Sequence, residues 1–110
     1  MTIFQKIIDK QLPADIVHED EKCLAFRDIH PQAPVHVLVI PKKPIAKVAD
    51  MKAEDEAIVG YLMRVASEIA AREKVQDFRL VINNGAGAGQ SVFHLHVHLL
   101  GGRPLAWPPG

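Results

Sequence analysis

Histidine alternates with apolar residues near the end of this chain, where His94, His96 and His98 are separated by Leu95 and Val97. In a β-strand, successive side chains point to opposite faces, so residues i, i+2 and i+4 share one face. The alternation predicts a strand, which we place at residues 91–100. Its three imidazoles project from one face and the intervening apolar side chains enter the core.

Size and composition predict one domain over residues 1–110, because 48% of the 110 residues are apolar. Lysine and arginine number 13, as do aspartate and glutamate, so the basic stripe of a nucleic-acid-binding protein is not expected. Cys23 is the only cysteine, which favours a reducing compartment. With no predicted signal peptide or membrane span, we expect a cytoplasmic protein.

The periodicity of the chain predicts two helices and five strands. Thr2 caps a short helix that runs to about Gln11, and a long helix occupies residues 53–74. The strands are expected at Ile16–Glu19, Cys23–Arg27, 35–40, 78–83 and 91–100. Because helices and strands do not alternate regularly, the fold class is α+β with a mainly antiparallel sheet.

The long helix has an unusually wide apolar sector. Five residues form the expected core stripe, and Val59, Met63, Ala66 and Ala70 widen it to roughly 200° at about 100° per residue. A helix of a small domain is seldom buried on two sides. We therefore expect this helix to pack against a second subunit in a homodimer.

Three hypotheses account for the alternating histidines. They could be solvated residues on a half-exposed strand. They could hold a metal, although the outer Cβ atoms lie ~13 Å apart on a straight strand, so only an adjacent pair, completed by Cys23, His36 or another residue, could bind one ion. They could instead perform nucleophilic and acid–base chemistry at a phosphate, because imidazole is a neutral nucleophile near pH 7.

The glycine-rich segment between residues 83 and 91 favours the phosphate hypothesis. Alternating Gly and Ala leave backbone N–H groups unshielded and let the chain approach an anion closely. The segment opens no predicted helix, so it is neither a Rossmann fingerprint nor a P-loop. A flexible hairpin loop is the alternative interpretation, and the adjacent histidines favour a phosphate cradle.

The motif Asn83-x-Gly85-x3-Gly89-Gln90-Ser91-x2-His94-Leu-His96-Val-His98-Leu-Leu closely resembles the histidine-triad family, whose pattern is His-φ-His-φ-His-φ-φ with φ apolar. Segments throughout the chain resemble the nucleotide-binding branch of that family, including the terminal Trp-Pro-Pro-Gly. The resemblance implies an α+β domain with a five-stranded antiparallel sheet that continues across a homodimer. It also implies hydrolysis of purine nucleoside phosphoramidates, such as AMP joined to an amine, without a cofactor or metal.

The resemblance assigns roles residue by residue. His96 matches the nucleophile, which would form a nucleotidyl-histidine, and His94 and His98 match the histidines that assist it. Ser91 and Gln90 match contacts to the phosphate and leaving group. Asp28 matches the carboxylate that binds the ribose hydroxyls. The remaining nucleotide-binding positions are Asn83 and Gly89 beside the phosphate, and Ile3, Phe4, Ile7, Phe26, Ile29 and Leu38 as apolar walls of the purine pocket.

Three further positions bear on specificity. Pro44 stands where some relatives have a histidine for which a metal role has been considered, so a metal there is not expected. Arg27 replaces a histidine common beside the base pocket, where a longer cation could alter base preference. Trp107 close to the terminus suggests docking, either on its own subunit or on the partner's active site. Two alternative functions remain open: hydrolysis of dinucleoside polyphosphates, and a nucleotide-binding regulatory or scaffold protein.

Overall fold

The computed structural model describes all residues from Met1 to Gly110. It has two α-helices and five strands, in an α+β arrangement that confirms the predicted fold class. The elements are α1 (Ile3–Ile8), β1 (Ile16–Glu19), β2 (Cys23–Arg27), β3 (Val35–Pro41), α2 (Glu56–Arg72), β4 (Phe78–Val81) and β5 (Val97–Gly101). Short 3-10 turns occupy Val48–Asp50, Ala53–Asp55 and Ala86–Ala88.

The five strands form one antiparallel sheet in the order β1-β2-β3-β5-β4. Alternation along β2 and β3 divides the core between the two faces of the sheet. Cys23, Ala25, Val37 and Val39 pack under α2, together with alternate residues of β5. The residues between them on β2 and β3 pack with Phe4 and Ile7 of α1. The second face, which α1 covers only in part, is the one that carries the histidines.

Helix α1 ends at Ile8, three residues earlier than predicted. Thr2 caps it as expected, because its side-chain oxygen accepts from the Gln5 amide. Lys10 then adopts a φ of 63°, and the Gln11 amide turns back to the Lys6 carbonyl. A residue with positive φ cannot continue a right-handed helix, so the chain leaves α1 before Pro13 is reached.

Strand β5 begins at Val97 rather than at residue 91, so the prediction of one strand carrying all three histidines is wrong. In the antiparallel register Val97 lies opposite Val39, and two residues further back the partner is Pro41. Proline has no N–H to donate, so the ladder stops there. The Leu95 amide donates to the Ile45 carbonyl instead. The side chains still alternate, because Leu95 joins Val97 and Leu99 in the core under α2.

Helix α2 covers residues 56–72 of the predicted range, after a 3-10 turn, and Lys74 at a φ of 60° follows its end. Leu62, Val65 and Ile69 are buried against the sheet. Ala66 and Ala70 are also buried in this core, so part of the wide apolar sector is covered by the chain itself. None of the helices combines the length and the apolar character needed to cross a membrane.

The fourth strand is also shorter than expected and ends at Val81 instead of residue 83. Val81 lies opposite His98, one residue from the start of β5, so only one more position of β4 could have a partner in that strand. Asn83 has no possible partner in β5. Ile82 and Asn83 both lie outside the sheet and lead into the glycine-rich loop.

Candidate active site

The three histidines lie on the same side of the sheet as α1, as the alternation predicted. The rings of His96 and His98 have centroids 4.9 Å apart, and Phe4 packs edge-on against His96 at 5.0 Å. His94 and His96 are buried, with 2% and 5% of their surfaces exposed. The solvated-strand hypothesis is wrong for these two residues, because histidines at a solvated strand surface would be largely exposed.

Hydrogen bonds determine which nitrogen of His96 is free. Its Nδ1 lies 2.8 Å from the backbone carbonyl oxygen of His94. A carbonyl only accepts, so we assign the proton of a neutral ring to Nδ1. Nε2 then carries an exposed lone pair with no acceptor or donor inside the chain. A neutral imidazole in this tautomer is a nucleophile with a defined attacking atom.

The same reasoning applies to His94. Its Nε2 donates to the Pro41 carbonyl oxygen at 2.7 Å, which is the backbone group left over where the β-ladder stops. Its Nδ1 is therefore an acceptor in the neutral ring. The interruption of β5 thus orients His94, and through the His94 carbonyl it also orients His96.

His36 of β3 is a site residue that the sequence suggested only as a possible metal ligand. Its Nδ1 accepts from the Gln32 amide at 3.0 Å, and its Nε2 lies 2.9 Å from Nδ1 of His98. The Gln32 amide assigns the proton of His36 to Nε2, so His98 accepts at Nδ1 and holds its own proton at Nε2. The even-numbered residues of β3 share the face of α1, and this alternation could have identified His36.

Burial lowers the pKa of all four imidazoles, because the low-dielectric surroundings disfavour the charged ring. For His98, burial and the neighbouring His96 and His36 together lower the pKa to about 4, against an opposing effect of Asp28. The four rings are therefore neutral at pH 7, and the lone pair of His96 Nε2 is available at that pH.

Asp28 lies beside this group, with its Oδ2 atom 3.5 Å from His36 Nε2. The loop that follows is closed on itself, since the Asp28 amide donates to the His36 carbonyl and Asp28 Oδ1 accepts from the His30 amide. The side chain is 19% exposed. Asp28 thus presents a fixed carboxylate oxygen at the edge of the histidine group.

The glycine-rich loop is shaped by Gln90, which is buried with 3% exposure. Its Oε1 accepts from the Gly85 amide at 2.8 Å, and its Nε2 donates to the carbonyls of Ala46 and Val92. Both hydrogens of the side-chain amide are thereby used inside the chain. The structure places Gln90 as a support of the loop, whereas the sequence suggested a contact to the phosphate.

The backbone after this loop offers free donors. The amides of Ser91, Val92, Phe93 and His94 donate to no acceptor in the chain, and the exposed Ser91 hydroxyl has no internal hydrogen bond. Gly89, with a φ of 97°, is next to the Asn83 amide, which would lie 3.5 Å from a Cβ at that position. Consecutive unpaired N–H groups beside left-handed backbone are the elements of an anion-binding cradle.

The residues predicted to line a purine pocket fall into two groups. Phe4, Ile7, Phe26 and Leu38 are buried in one cluster on the histidine face. Ile3 and Ile29 are exposed at 52% and 85%. Four of the six thus form a packed floor, and the other two stand in solvent, where they are available to an apolar ligand.

Comparison with known proteins shows which family this chain resembles over most of its length. The family model of the HIT domain matches residues 9–105. An uncharacterised HIT-like protein of Synechocystis sp. is 60% identical over 110 residues, which cover 99% of this chain and 96% of that protein.

This chain belongs to the HIT family.

Two further relatives extend the comparison. A crystal structure of a HIT family hydrolase from Legionella pneumophila Philadelphia 1 superposes with a TM-score of 0.97 at 46% identity, and covers 100% of both chains. A maize protein named 14 kDa zinc-binding protein is 54% identical over 112 residues, covering 99% of this chain and 88% of that protein. The chain therefore has the fold of a HIT family hydrolase.

Asp28, His36 and His98 could hold a metal ion by distance alone, since their ligand atoms lie within 4.8 Å of one another. Tetrahedral zinc with ligands at ~2.05 Å needs donor atoms ~3.3 Å apart, close to the 2.9 and 3.5 Å observed. The tautomer opposes binding, however. A metal would need the lone pair of His36 Nε2, and moving that proton to Nδ1 would set two N–H groups, those of His36 and Gln32, against each other.

The structure corrects the expectation for Arg27 and excludes one of the two alternatives for Trp107. Arg27 lies on the α2 face, where its Nη2 is 2.7 Å from Glu73 Oε1, so it is not at the rim of the base pocket. It follows Cys23 and Ala25 in the alternation of β2, which explains the placement. Trp107 is 81% exposed, so it does not dock on its own subunit. The tail before it is held by Arg79, which donates to the Ala106 carbonyl at 2.8 Å.

Proposed function

We propose that this protein hydrolyses the P–N bond of purine nucleoside phosphoramidates through a nucleotidyl intermediate on His96. The observation that supports this most directly is the free Nε2 of His96, in a ring whose other nitrogen is bound to a backbone carbonyl. Nε2 attacks the α-phosphorus, a P–N bond to His96 forms, and the P–N bond to the amine breaks. Water then cleaves the phosphorus–His96 bond, releasing the nucleoside monophosphate and regenerating the ring.

The neighbouring groups have complementary tasks in this reaction. Phosphorylation at Nε2 makes the His96 ring cationic, and the His94 carbonyl stabilises that charge through Nδ1–H. His98 Nε2–H donates to the phosphoryl oxygens. The Ser91 hydroxyl passes a proton to the leaving nitrogen and recovers one from solvent. The unpaired amides of residues 91–94 bind the remaining phosphate charge.

Nucleotide recognition draws on the other end of the site. The Asp28 carboxylate accepts hydrogen bonds from the ribose 2′- and 3′-hydroxyls, a suitable task for a fixed acceptor with no proton to donate. The base packs on the apolar floor that includes Phe4 and Phe26, and against the exposed Ile3 and Ile29. With Gln90 committed to the loop, recognition of the phosphate falls to the backbone and Ser91.

A homodimer would cover surfaces that one chain leaves open. Strand β4 is at the edge of the sheet, with one side unpaired, and unpaired edges invite a further strand. On α2, the exposed residues Gly60, Arg64, Ser67 and Ala71 form a row in which all but Arg64 are small. We expect a second copy to pair along β4 and pack on this row. A monomer by light scattering at micromolar concentration would contradict the dimer.

The test compares wild type with His96→Ala on an adenosine phosphoramidate. We expect turnover to fall by about 10³-fold or more while AMP binding is retained, because the variant loses the attacking atom and keeps the groups proposed to bind the ribose and the base. His30→Ala is the matched control, since His30 has an exposed side chain that makes no hydrogen bond within the chain. Undiminished turnover in His96→Ala would contradict the proposal.

Two further arms separate the alternatives. A diadenosine polyphosphate assayed under the same conditions identifies a dinucleoside polyphosphate hydrolase if it is cleaved faster than the phosphoramidate. Treatment with a chelator tests the zinc suggested by the name of the maize relative, and a loss of wild-type activity would favour a metal enzyme. AMP binding without turnover of either substrate would favour a regulatory or scaffold function.

A further inference from the structure

The segment that follows β5 touches the loop that precedes β3. Val35 lies opposite Gly101 in the antiparallel register, so residues 32–34 and 102–103 continue side by side beyond the two strands. Gly102 has a φ of 91°, and a Cβ there would lie 3.0 Å from the Pro34 side chain. This close approach brings Arg103 to the Gln32 backbone.

Arg103 holds that backbone with two donors. Its Nε and Nη2 donate to the Gln32 carbonyl oxygen at 3.0 and 2.9 Å, and its Nη1 donates to the Pro104 carbonyl at 2.8 Å. A guanidinium is planar and presents its donors as a rigid fork, so two bonds to one oxygen fix the position of Gln32. The Gln32 side chain adds a bond from its Nε2 to the His30 carbonyl.

Gln32 in turn determines the tautomer of His36. Its amide donates to His36 Nδ1 at 3.0 Å, and His36 Nε2 then donates to His98 Nδ1 at 2.9 Å. Hydrogen bonds thus connect the tail to the Gln32 carbonyl, the Gln32 amide to His36, and His36 to His98. His36 is buried, so water does not replace the Gln32 amide at its Nδ1 without rearrangement of the loop.

We propose that Arg103 is a positioning residue that fixes the tautomers of His36 and His98 from the C-terminal tail of the same chain. The inference rests on the proposed function for its effect on turnover, but the tautomers themselves require no substrate. Without the Arg103 hydrogen bonds, Gln32 is mobile, and its backbone amide does not always donate to Nδ1 of His36. Both neutral tautomers of His36 are then populated, and His98 Nε2–H is not always available to the phosphate.

The experiment measures ring nitrogen shifts of His36 and His98 by long-range ¹H–¹⁵N NMR in wild type, Arg103→Met and Arg79→Met. Methionine keeps an unbranched apolar stem and removes the donors. Arg79→Met is the matched control, because Arg79 also binds the tail, at Leu105 and Ala106, but does not contact Gln32. We expect the two His36 nitrogens to move toward a common averaged shift in Arg103→Met only.

Turnover supplies the second readout. In Arg103→Met we expect kcat to fall about 3- to 10-fold, with a smaller change in AMP affinity, because Asp28 is held separately by the His36 carbonyl and the His30 amide. Arg103→Lys, which retains a cationic donor, recovers part of the loss. Ring shifts unchanged in Arg103→Met, or changed equally in Arg79→Met, would overturn the inference.

Failure of the proposed function would look different. If wild type turned over no phosphoramidate, the activity readout would be lost, but the ring shifts of His36 and His98 would still support or overturn the role of Arg103.

Discussion

Two groups of titratable side chains lie on opposite faces of the sheet, and both contain histidine and aspartate in close contact. On the α2 face, Asp20 Oδ2 accepts from His18 at 2.7 Å and from the Tyr61 hydroxyl at 2.5 Å, with the Cys23 thiol at 3.7 Å. On the α1 face, each histidine of the triad has one nitrogen bound within the chain and one left free.

The difference lies in the atoms that remain available. Burial opposes ionisation of Asp20, but hydrogen bonds from Tyr61, His18 and two backbone amides outweigh it and lower its pKa. The charge in turn raises the pKa of Tyr61 to about 12, mainly through that hydrogen bond, and burial raises the pKa of Cys23 to about 12. The polar atoms of this group are therefore engaged with one another and with the backbone. Residue type alone therefore does not distinguish the two groups, whereas an uncommitted lone pair in a defined position does.

The largest expected contrast is between stability and turnover at Asp20. Asp20→Ala removes the acceptor of five donors, which are the His18 ring, the Tyr61 hydroxyl, the Cys23 thiol and the amides of residues 22 and 23. We therefore expect about 2–4 kcal/mol of lost unfolding free energy. Because the group is remote from His96, kcat should be unchanged where the variant is folded. Urea denaturation and a phosphoramidate assay measure the two quantities.

Asp50→Ala is the control for that change, since Asp50 is exposed and its side chain makes no hydrogen bond. It should leave both quantities within experimental error. A fall in kcat of tenfold or more in Asp20→Ala, measured well below its denaturation midpoint, would show that the two faces are not functionally separate.

Gln90 tests the same distinction within the α1 face. Gln90→Glu keeps the acceptor for the Gly85 amide but turns a carboxylate toward the carbonyls of Ala46 and Val92. We expect a loss of about 1–3 kcal/mol in stability and a raised KM, because the loop opens. Gln76→Glu makes the same chemical change at an exposed position and should have neither effect.

If Gln90 instead contacts the phosphate directly, Gln90→Glu would change substrate affinity and not stability. Stability would be retained in Gln90→Glu while phosphoramidate affinity fell by electrostatic repulsion, and the interpretation of Gln90 as a loop support would be wrong.

The smallest expected effect concerns stability at acidic pH, to which the α1 face and the α2 face respond in different pH ranges. The pKa of His98 is lowered to about 4 from an unfolded value near 6.5, so between these pH values the unfolded chain binds more protons. Stability is then lost as pH falls through this window, by less than about 1 kcal/mol from pH 6.5 to 5.5 once the partial exposure of His98 is allowed for. Asp20, with its lowered pKa, loses its contribution only below about pH 4.

Denaturation midpoints measured from pH 7 to 3.5 check this order. His98→Asn should make the profile less steep between pH 6.5 and 4, where His36, His94 and His96 still contribute, and Asp20→Ala should leave that part unchanged. A wild-type profile that is flat between pH 6.5 and 4.5 would contradict the lowered pKa of His98.

The sequence predicted much of this arrangement because its strongest patterns are local. Strands β1 and β2, the Thr2 cap and the shared face of the histidines follow from periodicity and capping chemistry, which act between near neighbours in the chain. Strand β5 was predicted too long because its start depends on Pro41, 56 residues away from Val97 in sequence, in a register that periodicity does not contain.

What the sequence determined by itself is the set of reactive groups and the face they share. Alternation fixed the three imidazoles on one side, and the family motif assigned His96 as the proposed nucleophile. Only the tertiary structure decided which nitrogens of His94 and His98 are free, because these rings bind the Pro41 carbonyl and the His36 ring, both distant in sequence. His96 binds the carbonyl of the nearby His94, whose ring is oriented by that contact with Pro41. Pro41, Gln32 and His36 thus select the tautomers of His94, His36 and His98, and the His94 carbonyl selects that of His96, which leaves its Nε2 lone pair free.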